Sequence, residues 1–247
     1  MTQAPLLRVS DLSVRFGGVI ALAGVSFDLE PGSIVGLIGP NGAGKTTLFN
    51  CISRLYRPQQ GDIIFRGRSI LALPPHRIAP LGIGRTFQNL ALFPHLSVLG
   101  NVLIGAHCRG RSDFLSDALR LPWIRAEEQR LRALAQELVA RMGLADLART
   151  AVGTLTFAMQ KRVELARALA LDPTLLLLDE PASGLNHEEI EDLNQQIRTL
   201  REQRTLSVLV VEHHMQLVME YPTRSWRSTS AARSPRARRP RSRAIPR

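Results

Sequence analysis

Residues 39–46, GPNGAGKT, constrain the fold of this chain more than any other segment of its sequence. They match the pattern G-x-x-x-x-G-K-[ST], with an apolar strand-type run at 33–38 before them and a helix-type run at 46–55 after them. Glycines let backbone N–H groups curve around phosphate oxygens, and the following helix presents its positive end to the same anion. The arrangement predicts a phosphate-binding loop, whereas a chance glycine-rich turn would not need these flanks.

The side chains of this loop have separate predicted tasks. We expect Lys45 to reach the β- and γ-phosphates of a nucleotide, and Thr46 to offer its hydroxyl to Mg²⁺. The residues predicted to bind nucleotide here are Gly39, Pro40, Asn41, Gly42, Ala43, Gly44, Lys45, Thr46 and Thr47.

Two acidic residues, Asp179 and Glu180, directly follow the apolar run at 175–178. Such a run is typical of a parallel strand that is buried on both faces, and ligands bind at the carboxyl ends of such strands. We expect Asp179 to hold Mg²⁺ through water and Glu180 to polarise the attacking water. An acidic strand end that merely caps the next helix is the alternative, and the phosphate loop favours the catalytic interpretation.

Strand-type and helix-type segments alternate along the rest of the chain. Residues 62–65 and 206–211 have strand character, while apolar spacings of three and four predict helices over 126–142 and 190–200. This alternation predicts an α/β sheet with crossover helices. The longest apolar runs are too short to span a bilayer.

The formal net charge of +11 would ordinarily suggest a nucleic-acid or membrane-surface partner. However, residues 223–247 hold nine arginines and no acid, which leaves 23 basic and 21 acidic residues in 1–222. The basic signal therefore belongs to one terminal segment, which has no apolar period and is expected to be disordered. No nucleic-acid partner is expected for the nearly neutral remainder.

These motifs resemble the ATP-binding subunits of ABC transporters, and most of all the subunits that drive branched-chain amino-acid import. Besides the loop and the acidic pair, the resemblance is carried by FGGVIALAGVSFDLEPGSIVGLIGPNGAGKTTLFN and GIGRTFQNLALFPHLSVLGNVLIGAH. It extends from about Leu6 to about Tyr221.

The resemblance implies a fold and a set of partners. The fold is an α/β P-loop NTPase (ABC ATPase) domain over 1–222, with an N-terminal antiparallel β lobe and a helical insertion at about 88–165. The cofactors are ATP and Mg²⁺. The expected partners are a second ATP-binding subunit in a homo- or heterodimer, integral membrane permease subunits and, indirectly, a substrate-binding protein. The expected location is peripheral, at the cytoplasmic face of the inner membrane.

The resemblance also implies roles for individual residues outside the loop. Phe16 lies where the family stacks an aromatic ring on adenine, and a core phenylalanine at a strand end is an equal alternative. Gln88 matches the glutamine that senses Mg²⁺ and the attacking water near the membrane-subunit contact; a solvent-facing amide is the alternative. His213 matches the histidine that contacts the γ-phosphate, although His214 replaces the usual acid and leaves the choice between the two histidines open. Residues 183–186 match the loop that crosses the dimer interface.

The segment 155–159, LTFAM, departs from the family's L-S-G-G-Q signature, which completes the ATP site of the partner subunit. Thr156 keeps the hydroxyl, Ala158 adds a methyl group where the backbone should approach closely, and Met159 removes an amide. Binding by the helix N-terminus survives these changes, so we expect a working site. The alternative is a degenerate paralogue, a regulatory or interaction module that binds ATP without turnover.

Residues 223–247 also depart from the family, which continues with further strands and a helix. Back-translation of this segment with mostly GC-rich codons, read in a shifted frame, gives PVVAVDFGREIAEGTPAEVPGDPA, which resembles the missing strand, turn and strand. The hypothesis is that a frameshift replaced the end of the chain near residue 223. The rival hypothesis is a genuine basic tail that binds anionic lipid or RNA.

The frameshift hypothesis predicts a difference in stability. A frame-restored chain should unfold at a higher temperature than this chain, because the restored strands cover a sheet edge and an apolar face. Thermal unfolding followed by circular dichroism measures both midpoints. Equal midpoints would contradict the prediction, and coding DNA in which no single-base change restores the string would eliminate the hypothesis.

Overall fold

The computed structural model describes residues 4–40, 42–107, 122–204, 206–212 and 226–227. The strands are β1 Leu7–Phe16, β2 Val19–Leu29, β3 Ile34–Ile38, β4 Gln60–Phe65, β5 Arg68–Ser69, β6 Ile83–Arg85, β7 Leu175–Asp179, β8 Ser207–Val211 and β9 Trp226–Arg227. The α-helices are α1 Lys45–Ile52, α2 Val98–Ala106, α3 Pro122–Arg141, α4 Phe157–Ala170 and α5 His187–Arg204.

The first sheet is antiparallel and has the strand order β2-β1-β4-β5. β1 and β2 form a hairpin that pairs from Leu7 with Leu29 to Phe16 with Val19. Alternate residues of β1, including Leu7 and Val9, are buried, as expected for a sheet with one covered face. This sheet is the N-terminal β lobe that the sequence resemblance implied.

The second sheet is parallel and has the strand order β6-β7-β8-β3-β9. All five residues of β7 and of β8 are buried. Leu175 and Leu177 pack into the cluster that contains the β lobe and α1, while Leu176 and Leu178 pack into the cluster that contains the helices α2 to α5. Both faces of the sheet are therefore covered, which explains the uninterrupted apolar run at 175–178.

Several elements differ from the sequence expectations. The helix predicted over 46–55 begins at Lys45 and ends at Ile52. β6 and α2 were not predicted; β6 has only three residues, and α2 contains two glycines that lower its helix propensity. Gly105 of α2 is needed for packing, since a Cβ there would lie 2.0 Å from the carbonyl oxygen of Arg167 in α4.

The expectation of disorder across 223–247 is wrong for two residues. Trp226 and Arg227 pair with Leu37 and Ile38 at the outer edge of β3. Backbone hydrogen bonds to an open strand edge need no apolar period, which is why the sequence pattern gave no sign of this pairing. Elsewhere, α2, α3 and the first half of α4 fall within the predicted helical insertion at about 88–165. Among the described residues, no helix has the length and apolar character needed to cross a membrane.

Candidate nucleotide-binding site

The phosphate loop connects β3 to α1. Gly44 caps the start of α1 in the left-handed conformation, with φ of 86°, and its carbonyl accepts a hydrogen bond from the Leu48 N–H (2.9 Å). A Cβ at Gly44 would lie 2.2 Å from the carbonyl oxygen of Ala21, so both the backbone conformation and the packing require glycine. Ala21 of the β lobe therefore packs closely against the phosphate loop at Gly44. Asn41 lies outside the described residues.

Lys45 begins α1 and is buried. Its ammonium group donates hydrogen bonds to the carbonyl oxygens of Gly39 (2.6 Å) and Pro40 (3.1 Å). The side chain therefore reaches from the end of the phosphate loop back to its first two residues. Burial lowers the pKa of Lys45, while the charges of Glu180 and Asp179 raise it.

The pairing register of β3, β8 and β7 places the acidic end of β7 beside the phosphate loop. Leu37 of β3 pairs with Val211 of β8, and Val211 in turn pairs with Asp179 of β7. The end of β7 and the start of the phosphate loop therefore meet at one edge of the sheet. Thr46 and Thr47 occupy the first turn of α1, where Thr46 is exposed.

Asp179 is fully buried, and its two carboxylate oxygens have different surroundings. Oδ2 accepts a hydrogen bond from Arg85 Nη2 at 3.3 Å, whereas Oδ1 has no hydrogen-bond partner among the described residues. Burial raises the pKa of Asp179, and the Arg85 guanidinium opposes that shift. An unpartnered buried carboxylate oxygen beside a phosphate loop fits a divalent cation.

The described residues contain no group of three or more His, Cys, Asp and Glu that could hold a metal by themselves. Mg²⁺ commonly takes one or two carboxylates from a protein and completes its shell with phosphates and water.

Glu180 and Gln88 come together although 92 residues separate them along the chain. Gln88 Nε2 donates to Glu180 Oε2 at 3.0 Å. Glu180 has a left-handed backbone, with φ of 49°, and its N–H donates to the Val211 carbonyl at 2.9 Å. Such strain costs about 1–3 kcal/mol and persists where surrounding structure imposes it, often at functional sites. Gln88 is exposed, yet it has the specific partner that a merely solvent-facing amide would lack.

The remaining predicted residues differ in what the structure says of them. Phe16 ends β1 with 47% of its surface exposed, and its ring lies 5.1 Å from that of Tyr56 in an edge-on arrangement. The core alternative for Phe16 is therefore wrong. His213 lies outside the described residues, so its role and the choice between it and His214 stay predictions.

The altered signature segment keeps a capped helix start. The Thr156 hydroxyl accepts a hydrogen bond from the Met159 N–H (3.4 Å) at the beginning of α4. Phe157 is half-exposed, its ring lies 5.5 Å from Lys161 Nζ, and a Cβ on Gly184 would lie 2.8 Å from it. Ala158 is partly buried, so its methyl group does not project as a free side chain.

Three buried charged residues near the site were not identified from the sequence. Arg85 contacts Asp179, Lys161 donates to the carbonyl oxygen of Glu180 (3.3 Å), and Glu212 accepts from the Ala182 N–H (2.8 Å). Each is adjacent to a recognised motif in the chain or packs against one. Glu212 directly follows the apolar run at 208–211, which is a signal that could have identified it, whereas Lys161 stands between Gln160 and Arg162 and carries no such signal.

Comparison with known proteins is consistent with this geometry. The sequence model of the family described as ABC transporter matches residues 22–183. The chain is 41% identical, over 215 residues, to the high-affinity branched-chain amino acid transport ATP-binding protein BraF of Pseudomonas aeruginosa. It is 40% identical, over 215 residues, to the corresponding protein LivG of Escherichia coli K12. Each alignment covers 87% of this chain and 84% of the relative.

Solved structures give the same result for the fold. The ADP conformation of MJ1267, an ATP-binding cassette of an ABC transporter, matches with a TM-score of 0.76 and 29% identity over 92% of this chain and 89% of that chain. The dimeric ATP-binding cassette MJ0796, bound to ADP and Pi, matches with a TM-score of 0.75 and 25% identity over 90% of this chain and 94% of that chain.

Replacement of Gly44 by alanine should weaken nucleotide binding, because the new methyl group would overlap the Ala21 carbonyl and the left-handed φ disfavours a side chain. Equilibrium titration with a fluorescent ATP analogue should show at least a tenfold weaker affinity, equivalent to about 1.4 kcal/mol. Gly18→Ala is the matched control, since a Cβ at Gly18 meets no atom within 4 Å. Equal affinities of the two variants would contradict the assignment.

Proposed function

This chain belongs to the ABC transporter family as one of its ATP-binding, ATP-hydrolysing subunits, and we propose that it energises the import of branched-chain amino acids. The observation that carries the choice of substrate is its identity of 40–41% with two ATP-binding proteins of branched-chain amino-acid transport, over 87% of its length. The observation that supports turnover is the contact of Gln88 with Glu180, beside the buried Asp179.

The phosphate loop binds the nucleotide in this proposal. The backbone of residues 39–47 surrounds the β- and γ-phosphates, and the N-terminus of α1 adds its dipole. Lys45 exchanges its hydrogen bonds to the Gly39 and Pro40 carbonyls for bonds to phosphate oxygens. The half-exposed ring of Phe16 stacks on adenine.

Three residues would hold Mg²⁺ together with the phosphates: Thr46, Asp179 and Gln88. Asp179 offers Oδ1, which has no hydrogen-bond partner among the described residues, and Thr46 is accessible in the first turn of α1. Bound there, the ion would supply positive charge that offsets the negative charge developing on the phosphate oxygens during transfer.

Hydrolysis is an in-line attack of water on the γ-phosphorus. The Glu180 carboxylate orients the water and accepts its proton while the bond between the γ-phosphorus and the bridging oxygen of ADP breaks. Gln88 holds that carboxylate through its hydrogen bond to Oε2. His213 contacts the γ-phosphate, as the sequence resemblance implies.

A second ATP-binding subunit completes each site. Thr156 and Ala158 at the start of α4 approach the γ-phosphate bound by the partner, so that two composite sites form in a homo- or heterodimer. The capped helix start supports this, because N–H groups and the helix dipole bind anions without the missing glycine and glutamine. No contact of the described residues favours a chain without turnover.

An apolar groove of about 480 Å³ is the proposed contact with a membrane permease subunit. Its lining includes the side chains of Leu55, Phe87, Phe93 and Ile104, all of which are at least one-third exposed. Phe87 directly precedes Gln88, so a segment of the permease seated here would lie next to the catalytic centre. Such a subunit would place this chain at the cytoplasmic face of the inner membrane, with a substrate-binding protein acting only indirectly.

Replacement of Glu180 by glutamine tests the function itself. The variant should bind MgATP but lose at least a hundredfold in turnover, because the carboxylate that activates water is gone.

In a host strain lacking this gene, wild-type chain should restore uptake of radiolabelled leucine, isoleucine and valine, and the variant should not. Glu188→Gln, an exposed change in α5, is the matched control. If the wild-type chain hydrolyses ATP but does not restore uptake of these amino acids, the proposed substrate is contradicted.

Replacement of Ile104 by glutamate tests the groove. The new charge should prevent co-purification with the permease subunits of the importer, because its burial against an apolar segment is unfavourable. ATP binding by the isolated chain should stay within twofold of wild type. Val19→Glu, at an apolar position that is 68% exposed outside the groove, is the control. Undiminished co-purification of Ile104→Glu would contradict this docking surface.

A further inference from the structure

Arg85 is the last residue of β6, and no role assigned above uses it. Its side chain is only 8% exposed. Nη1 donates to Asn50 Oδ1 (2.8 Å) and to Ser53 Oγ (3.0 Å), both of which project from α1 and the turn that ends it. Nη2 donates to Asp179 Oδ2 at 3.3 Å. One guanidinium group therefore joins the helix of the phosphate loop to the carboxylate at the end of β7.

The geometry depends on the shape of arginine. A planar fork can present separate N–H donors to two elements at once, whereas a lysine ammonium is a compact charge on a flexible stem. The rings of Phe87 and Phe49 lie 4.9 and 5.6 Å from the centre of the guanidinium, and they restrict its movement. Arg85 is thus held by aromatic contacts while it contacts α1 and Asp179.

Stability alone is a poor explanation for this buried pair. Removing two charges from water is unfavourable, and well-packed apolar groups often replace a buried ion pair without loss. Burial lowers the pKa of Arg85, which reflects this unfavourable transfer. In addition, Arg85 Nε and Asp179 Oδ1 are buried without hydrogen-bond partners among the described residues. A purely structural pair would be expected to satisfy these atoms.

The two carboxylate oxygens of Asp179 have different roles: one accepts from Arg85, and the other has no hydrogen-bond partner among the described residues. Arg85 occupies Oδ2 and, by its bonds to Asn50 and Ser53, fixes the carboxylate relative to α1, from which Thr46 and Lys45 also project. Oδ1 is left available. The distance between the loop and the carboxylate is then set by a direct bridge in addition to the sheet.

We propose that Arg85 is a positioning residue, which holds Asp179 against α1 so that its free oxygen can meet the divalent cation that accompanies ATP. The proposal rests on the proposed function insofar as it requires a nucleotide–cation complex at this site.

The test compares nucleotide binding with and without the cation. The probe is a fluorescent ATP analogue, titrated against the full chain in EDTA and in increasing Mn²⁺ or Mg²⁺. Arg85→Met should bind within twofold of wild type in EDTA, but it should need about tenfold more cation for half-maximal enhancement of binding. Arg85→Lys should need about threefold more, because it keeps a charge but reaches only one side of the bridge.

Two further variants separate positioning from a structural role. Arg54→Met is the matched control, since the partly buried Arg54 donates to the Leu73 and Leu71 carbonyls and does not contact Asp179. Its cation requirement should equal that of wild type. The double variant Asn50→Ala/Ser53→Ala removes both acceptors on the α1 side of the bridge and leaves Arg85 and Asp179 in place. It should raise the cation requirement several-fold, which keeps the test possible if Arg85→Met does not fold.

Two results would overturn the proposal. One is an equal loss of binding by Arg85→Met in EDTA and in Mn²⁺. The other is a cation requirement of Arg85→Met no greater than that of Arg54→Met. Where Arg85→Met is unfolded, an unchanged cation requirement in Asn50→Ala/Ser53→Ala takes the place of the second result. Wild-type chain that binds nucleotide without hydrolysing it would refute the proposed turnover, and the binding comparison would still decide the role of Arg85.

Discussion

Parallel pairing of β8 with both β7 and β3 is the constraint on which the site depends. Leu37, Val211 and Asp179 lie in register across three strands, so the phosphate loop and the acidic pair emerge at one edge of one sheet. A slip of one residue would turn the buried apolar side chains of each strand to the opposite face. Apolar clusters on both faces of the sheet oppose such a slip, and the core thereby determines the geometry of the site.

Charged groups that are poorly hydrated surround this edge. Lys45, Lys161, Glu164, Asp179 and Glu212 are all buried. Each has an opposite charge or a backbone partner nearby: Lys161, for example, donates to the Glu180 carbonyl, and Glu164 accepts from the Phe87 N–H at 3.0 Å. Electrostatic interactions are stronger in such surroundings than in water. The loops that carry Gln88 and Glu180 are therefore tied to α4, the helix that starts with the altered signature.

This arrangement gives a physical route by which a bound permease could affect ATP hydrolysis. Phe87 lines the groove, stacks near Arg85 and precedes Gln88, while Arg85 contacts Asp179 and Gln88 contacts Glu180. Phe87 therefore links the groove to the site in two ways: its ring lies near Arg85, and Gln88 is the next residue in the chain. In the proposed function, a docked segment that displaced Phe87 would act on Asp179 through Arg85 and on Glu180 through Gln88.

The sequence by itself determined the loop, the acidic pair, the family and most of the buried strands. Those features have local signatures: glycines at fixed spacing, a Lys-Thr pair, the uninterrupted apolar run at 175–178 and the largely apolar runs at 33–38 and 206–211. Local pattern failed for β6, which is three residues long, and for the pairing of Trp226 and Arg227 with β3, which depends on backbone groups alone.

Only the tertiary structure decided which distant side chains meet. The bonds of Gln88 to Glu180 and of Arg85 to Asp179 and α1 join segments separated by more than 30 residues, and the exposure of Phe16 depends on how the β lobe packs. Residue types and spacing restrict the chemistry that a segment can perform, but the packing of two sheet faces fixes the distances between segments. Hence the sequence predicted the kind of site, and the fold decided which residues position it.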